Sequence, residues 1–120
     1  MQILLFLRRK KGGPLNMSKK NSNKVLERNF QAGLIKELKR MFKGCIVTKL
    51  DSGHIQGIPD LLILFKDKWA TLEVKKSAKA KHQPNQDYYV DLMNKMSFSR
   101  FIYPENKEEV LNDLQKTFRV

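Results

Sequence analysis

Two carboxylates and an amine stand close together in one short stretch of this 120-residue chain. Asp60 precedes the apolar run 61–65, which reads as a buried strand, and Glu73 and Lys75 lie two residues apart in a second predicted strand. Side chains alternate between the two faces of a strand, so Glu73 and Lys75 share one face. Acids beside an amine can hold a divalent cation and move a proton.

The turn between the two strands decides whether Asp60 joins that face. If residues 66–67 form a two-residue turn, Phe65 pairs with Lys68, and counting back places Asp60 opposite Glu73 on the same face. A slip of one residue, or a bulge, would send Asp60 to the other face. The predicted cluster therefore depends on one register.

Such a cluster suits Mg²⁺, which binds through one or two carboxylates and leaves other positions to water and substrate phosphate. The metal could polarise a phosphoryl oxygen and activate water, while Lys75 would orient or deprotonate that water and offset developing charge. Strand alternation predicts Lys76 on the opposite face. The alternative is a surface hairpin whose acids and lysine face solvent.

The composition is strongly basic, with 24 Lys and Arg against 12 Asp and Glu, a formal net charge of +12. This excess favours a polyanionic partner, of which nucleic acid is the commonest soluble example. The one cysteine, Cys45, excludes an internal disulfide, and with two histidines the chain has no zinc-ligand cluster. No apolar run has the length of a membrane span. We therefore expect a reducing, cytoplasmic setting and no membrane partner.

The first 16 residues differ from the rest of the chain. An apolar run is followed by Arg-Arg-Lys-Lys-Gly-Gly-Pro, which is the wrong order for an export signal. Lys11-Gly12-Gly13 can be encoded by a purine-rich ribosome-binding site just upstream of Met17. We predict that residues 1–16 are a leader segment or a disordered basic tail, and that residues 17–120 form one domain.

The first predicted helix runs from a cap at Ser22 or Asn23 to about Lys43, with Gly44 as its stop. One apolar stripe follows it and consists of Leu26, Phe30, Leu34, Leu38, Met41 and Phe42. Glu27 falls within this stripe, where an ionised carboxylate is costly unless it is paired. Either Glu27 points into the site of Asp60, or it is a solvated first-turn acid that the helix dipole favours.

The remaining elements complete an α-β-β-β-α-β-α order. Residues 45–50 read as the first strand, and Pro84 begins a helix whose inner face is Gln86, Tyr89, Val90 and Met93. Residues 97–103 are the fourth strand, and a last helix buries Val110, Leu111, Leu114 and Phe118. The predicted fold class is α/β with a mixed sheet and a C-terminal helix.

Gly57-Ile58-Pro59-Asp60, an apolar strand, a short turn and then Glu73-Val74-Lys75 resemble the motif of the PD-(D/E)XK nuclease superfamily. The predicted α-β-β-β-α-β order is similar to the restriction-endonuclease-like core of that superfamily. Gly-Ile-Pro-Asp-Leu and a later helix with Gln86 resemble its VRR-NUC branch of phage and bacterial nucleases. Ser52-Gly53 is similar to a loop of archaeal-type Holliday-junction resolvases, and the chain shows no counterpart of the basic VRR motif.

The resemblance, which spans residues 24–103, implies roles for individual residues. Asp60, Glu73 and the Val74 carbonyl would be the metal ligands, and Lys75 would be the catalytic lysine. Glu27 would be an accessory acid and Gln86 would face the site. Independently of these roles, we expect nucleic acid to contact Ser52, Lys76, Lys79 and Lys81.

We therefore expect a Mg²⁺-dependent DNA endonuclease, with Mn²⁺ as a substitute, in the cytoplasm of a bacterium or phage-infected cell. The nearest alternative is a Holliday-junction resolvase, which would act as a homodimer. The alternative from another class is a basic protein that only binds nucleic acid and keeps the hairpin acids as surface residues.

Overall fold

The structure, a computed structural model, describes residues 15–119 and the side chains of residues 22–119. Three α-helices and a four-stranded sheet make up this part of the chain. In order they are α1 (Leu15–Met41), β1 (Ile46–Lys49), β2 (Leu61–Phe65), β3 (Lys68–Val74), α2 (Gln86–Met96), β4 (Ser99–Ile102) and α3 (Lys107–Phe118), with a 3₁₀ turn (Pro104–Asn106) before α3. The predicted α/β class and the α-β-β-β-α-β-α order are confirmed.

The sheet has the strand order β1-β2-β3-β4. The first three strands are antiparallel neighbours, and β4 runs parallel to β3. A parallel pair needs a crossover connection, which α2 supplies. The predicted mixed sheet follows from this one crossover.

The main core lies on one face of the sheet, between it and helices α1 and α3. Alternate residues of β2 and β3 supply its sheet side, and the helices supply Leu34, Leu38, Phe42, Val110, Leu111, Leu114 and Phe118. Helix α2 covers the other face, where Thr71 of β3 bonds to Ser99 of β4 at 2.7 Å and approaches Met93 Sδ of the helix at 3.8 Å. Because Glu73 alternates with the core residues Leu72 and Val74, it lies on the α2 face.

Helix α1 is longer than the sequence pattern predicts. The predicted cap at Ser22 or Asn23 is wrong because both residues lie inside the helix, which begins at Leu15. Leu26 is 59% exposed, although its spacing predicts burial. Residues 34, 38 and 42 of the same stripe are buried, so the N-terminal half of α1 extends beyond the core it would need for packing. Gly44 ends the segment with φ 89°, as predicted.

Other boundaries shift by a few residues. Strand β1 is shorter than 45–50 and β4 shorter than 97–103. Helix α2 begins at Gln86, after Asn85 in the left-handed conformation, and not at Pro84. Residues 1–14 of the predicted tail lie outside the described residues, so that prediction and the domain boundary at residue 17 stay predictions. Within residues 15–119, no helix is long and apolar enough to cross a membrane.

Candidate active site

The β2–β3 hairpin places Asp60 opposite Glu73. Phe65 pairs with Lys68 and Leu61 with Leu72, and one further step along this register reaches the two acids. Lys66 adopts φ 57° in the two-residue turn, which is the left-handed conformation that a tight hairpin requires. The conditional register is therefore confirmed.

Asp60 is tied to the end of β3 by its side chain. Its Oδ2 accepts a hydrogen bond from the backbone N–H of Val74 at 2.9 Å. The N–H and C=O of one strand residue face the same neighbour, so the Val74 carbonyl also lies on the side of Asp60. Asp60, Glu73 and this carbonyl thus converge at the open end of the hairpin.

Glu73 is a buried carboxylate with an unused acceptor. The residue is 2% exposed, and its Oε2 accepts from Gln86 Nε2 at 2.9 Å. Its Oε1 is buried and has no hydrogen-bond partner among the described residues. A buried polar atom normally has a partner. In the metal-free protein a proton shared between the Glu73 and Asp60 carboxyls can supply one, and such a side-chain hydrogen bond contributes to the pKa shifts of both acids. A bound cation would take the place of that proton.

Lys75 is buried beside Glu73. The residue is 6% exposed, and its Nζ donates to Gln86 Oε1 at 2.7 Å and to the Lys81 carbonyl at 3.1 Å. The nearest Glu73 oxygen, Oε2, is 3.8 Å from Nζ. Gln86 thus joins the acid to the amine, in the site-facing position that the resemblance implies.

Three carboxylates share this region, and each has a raised pKa. Burial raises the pKa of Glu73 to about 8, and the charge of Asp60 adds to the effect while Lys75 opposes it. Burial also raises the pKa of Asp60. The hydrogen bond from the Val74 N–H stabilises the ionised form and offsets part of this rise. Burial and then the charge of Asp60 raise the pKa of Glu27. Without a cation, Glu73 therefore keeps a proton at pH values where an ordinary glutamate has lost it.

A cavity of about 550 Å³ contains the acids and is walled on one side by α1. Glu27 lines it together with Asp60 and Glu73, as predicted. The solvated first-turn alternative for Glu27 is wrong in one respect, because α1 begins at Leu15 and Glu27 is several turns into the helix.

Residues that the sequence analysis missed line the same wall, namely Asn23, Lys24, Arg28 and Gln31. Asn23, Lys24 and Gln31 lie three or four positions from Glu27, and Arg28 lies four positions after Lys24, the spacing that places side chains on one helix face. That polar periodicity was the available signal.

The predicted nucleic-acid-binding residues fall into two groups. Lys76 and Lys81 line the cavity, whereas Ser52 and Lys79 are exposed and do not. The predicted placement of Lys76 on the face opposite Lys75 stays a prediction, but Lys76 lines the same cavity as Lys75. Strand β3 ends at Val74, so its alternation does not extend to residue 76.

The donor set fits a hard cation better than a soft one. Within the described residues, no three His, Cys, Asp or Glu side chains form a metal-binding group. Two carboxylates and a backbone carbonyl remain, and Mg²⁺ is often held by so few protein oxygens. The orphaned Oε1 of Glu73 makes this a fit to the structure as well as to the residue types.

Comparisons of the chain with protein-family models, with curated proteins and with solved structures find no match. A fold of this kind can host many functions, so the function has to be inferred from the side chains of the site.

Proposed function

We propose that the protein is a Mg²⁺-dependent deoxyribonuclease that hydrolyses phosphodiester bonds of DNA, with Mn²⁺ as a substitute metal. One observation carries the proposal: Glu73 is buried opposite Asp60 and keeps one oxygen without a partner among the described residues. A buried carboxylate beside a second acid is costly to ionise, and a bound cation would offset that cost. Asp60, Glu73 and the Val74 carbonyl would hold that cation. When bound, Mg²⁺ would offset phosphate charge and polarise a phosphoryl oxygen.

Lys75 supplies the proton-handling group. An ammonium has three N–H donors, and Gln86 Oε1 and the Lys81 carbonyl accept two of them. The third is free to orient an attacking water and to stabilise negative charge that develops on the phosphate. Because the amine is held on two sides, it needs little rearrangement during the reaction.

The rim of the cavity supports a polyanionic substrate. Lys24, Arg28, Lys76 and Lys81 line it, and none of them forms an ion pair within the described residues. Unpaired cations around a pair of acids suit phosphates on either side of the bond to be cut. If the protein only bound nucleic acid, these acids would be expected on its surface. Glu73 and Lys75 are instead buried.

The test is cleavage of linear, nicked, flapped and four-way DNA, with Mg²⁺, with Mn²⁺ and with EDTA. We expect metal-dependent cleavage by the wild type and none by Glu73→Gln, which keeps the shape of the side chain but loses the charged ligand. DNA binding by the variant should persist. Equal cleavage in EDTA, or by Glu73→Gln, would contradict the proposal, and cleavage confined to four-way DNA would favour the dimeric resolvase.

A further inference from the structure

A three-residue segment outside the carboxylate cluster holds Lys75 and Gln86 in place. We call residues 81–83 the strap. The Lys81 carbonyl accepts from Lys75 Nζ at 3.1 Å, and the Gln83 N–H donates to Gln86 Oε1 at 2.8 Å. That same Gln86 oxygen accepts from Lys75 Nζ at 2.7 Å. Atoms on both sides of residue 82 in the chain therefore fix the lysine and its amide partner.

The residue between these two contacts is His82. Its ring stacks on Phe101, with ring centroids 4.0 Å apart and planes inclined by 12°. Its Nδ1 lies 2.7 Å from Asp87 Oδ1, and because a carboxylate accepts, Nδ1 is the donor. These two contacts bind the strap to strand β4 and to helix α2.

Both anchors lie next to residues of the site. Phe101 is the β4 register partner of Glu73, and Asp87 directly follows Gln86 on α2. The ring of His82 therefore joins the strap to α2, which carries Gln86, and to β4, which pairs with β3, the strand that carries Glu73.

Apart from these contacts, a further backbone hydrogen bond holds the strap, from the Gln86 N–H to the Gln83 carbonyl at 3.2 Å. The strap belongs to the irregular connection between β3 and α2, and the side chains of Lys81 and Gln83 are exposed. A connection with few buried contacts opens easily unless some side chain fixes it. A planar ring that is stacked on one face and hydrogen-bonded at one edge constrains both position and rotation.

We propose that His82 is a positioning residue for Lys75 and acts through the strap, with no contact to substrate or metal. The proposal rests on the nuclease function for its effect on turnover. The placement of the Lys75 amine can be measured without any activity. Loss of the ring would let the Lys81 carbonyl and the Gln83 N–H move away, and the Lys75 amine would lose its fixed direction.

The experiment compares His82→Ala with His82→Phe, which keeps the stack and loses the bond to Asp87. Asp87→Asn keeps a hydrogen-bond acceptor at Oδ1 and removes the charge. His54→Ala is the matched control, because His54 is an exposed histidine that does not line the cavity. Readouts are kcat and KM on DNA, thermal melting, and the rate at which acetic anhydride modifies Lys75 in the metal-free protein, normalised to exposed Lys79.

We expect His82→Ala to lower kcat by about tenfold to 100-fold, with KM changed by less than about twofold, since small displacements of catalytic groups have effects of this size. Modification of Lys75 should become faster. His82→Phe should recover most of both properties, and Asp87→Asn and His54→Ala should resemble the wild type. An unchanged Lys75 modification rate in a folded His82→Ala protein would overturn the inference. So would a loss of kcat that His82→Phe fails to recover.

Failure of the nuclease function is separable from failure of this inference. If the wild type cuts no DNA, the function is wrong, and the modification rates alone decide whether His82 positions Lys75. If His82→Ala does not fold, His82→Leu takes its place, because leucine fills the space but neither stacks on Phe101 nor bonds to Asp87. Faster Lys75 modification in folded His82→Leu than in His82→Phe supports anchoring by the ring, and wild-type rates in both refute it.

Discussion

Gly57 lies in direct backbone contact with Asn85. A Cβ atom on residue 57 would come within 2.6 Å of Asn85 C and Cβ, and Gly57 has φ +92°. Asn85 precedes the first residue of α2, Gln86, and Asp60 lies three positions after Gly57. Only a residue without a side chain can bring the Asp60 loop this close to the helix that carries Gln86.

Gly57→Ala should therefore damage the site as well as the fold. The left-handed φ and the clash should lower the free energy of unfolding by about 1–3 kcal/mol or more. The folded fraction should have reduced turnover because Asp60 and Gln86 move apart. Gly33→Ala is the control, since nothing lies within 4 Å of that added Cβ and alanine favours an exposed helix position. Full activity of Gly57→Ala would contradict this role of the contact.

The two neighbouring lysines should respond differently to truncation. Lys75→Ala should lower kcat by about 100-fold to 10,000-fold, the usual range for a general acid or base, and leave Mg²⁺ affinity intact because an ammonium is not a ligand. Lys76→Ala should mainly raise KM, because Lys76 lines the cavity without the buried contacts of Lys75. Steady-state kinetics and metal titration measure both. Equal losses of kcat would show that the two lysines share one role.

The stability of the metal-free protein should depend on pH through Glu73. Its pKa is about 8 in the folded protein against an ordinary value of 4.5, so between these values the folded state keeps a proton that the unfolded state has released. The free energy of unfolding should then fall as pH rises through this window, by at most about 1.4 kcal/mol per pH unit, and should level off above it. Glu73→Gln should flatten the profile. Urea titrations across the window, in EDTA, measure the slope, and a stability that rises with pH would contradict the assignment.

The central hairpin was predictable from sequence because its determinants are local. Strand alternation and a two-residue turn were enough to place Asp60 opposite Glu73. The expectation that Gln86 faces the site came from the resemblance alone. The hydrogen bonds between its amide and both Glu73 and Lys75 could be identified only in the folded structure.

The N-terminal half of α1 was harder to predict. Between Pro14 and Gly33 the sequence has no Gly or Pro, so no residue there would end a helix. The same stretch is mostly polar and has no regular apolar spacing near Leu15, so the sequence does not indicate where the helix begins. Strand β3 ends at Val74, where its pairing with the neighbouring strands ends. Strand alternation therefore does not predict on which face of the sheet the Lys76 side chain lies. The stack of His82 on Phe101 joins residues from distant parts of the chain and left no sequence pattern.

The α1 wall, by which we mean Lys24 and Arg28 on the cavity side of α1, should bind phosphate groups without reading the base sequence. Lys24→Ala and Arg28→Ala should each reduce the slope of log affinity against log salt by about one unit, and should weaken binding similarly for DNA of any sequence. Lys95→Ala is the charge-matched control, because Lys95 is exposed on α2 and paired with Asp91. Salt titrations of binding in Ca²⁺ or EDTA measure this. Slopes equal to that of Lys95→Ala would remove the α1 wall from the DNA-binding surface.

Glu27→Gln tests whether α1 contributes chemistry as well as charge. Burial raises the pKa of Glu27 and the neighbouring charge of Asp60 raises it further, so replacing the acid should relieve repulsion and raise the melting temperature of the metal-free protein. The stabilisation should be greatest at high pH, where the carboxylates are ionised. If Glu27 also helps to hold the cation or its water, the same variant should need more Mg²⁺ for half-maximal cleavage.

If Glu27 is instead a solvated acid, we expect different effects of Glu27→Gln on the melting temperature and on the Mg²⁺ requirement. Since α1 begins at Leu15, Glu27 is too far from the helix N-terminus to gain from its dipole, and a solvated acid there should be replaceable with no change in melting or cleavage. Glu109→Gln, an exposed acid in the first turn of α3, provides the control and should lower stability slightly through that dipole. Melting curves with and without Mg²⁺, read beside cleavage rates, separate these cases. A higher melting temperature with an unchanged Mg²⁺ requirement would leave Glu27 as a buried neighbour of the site and exclude it from the chemistry.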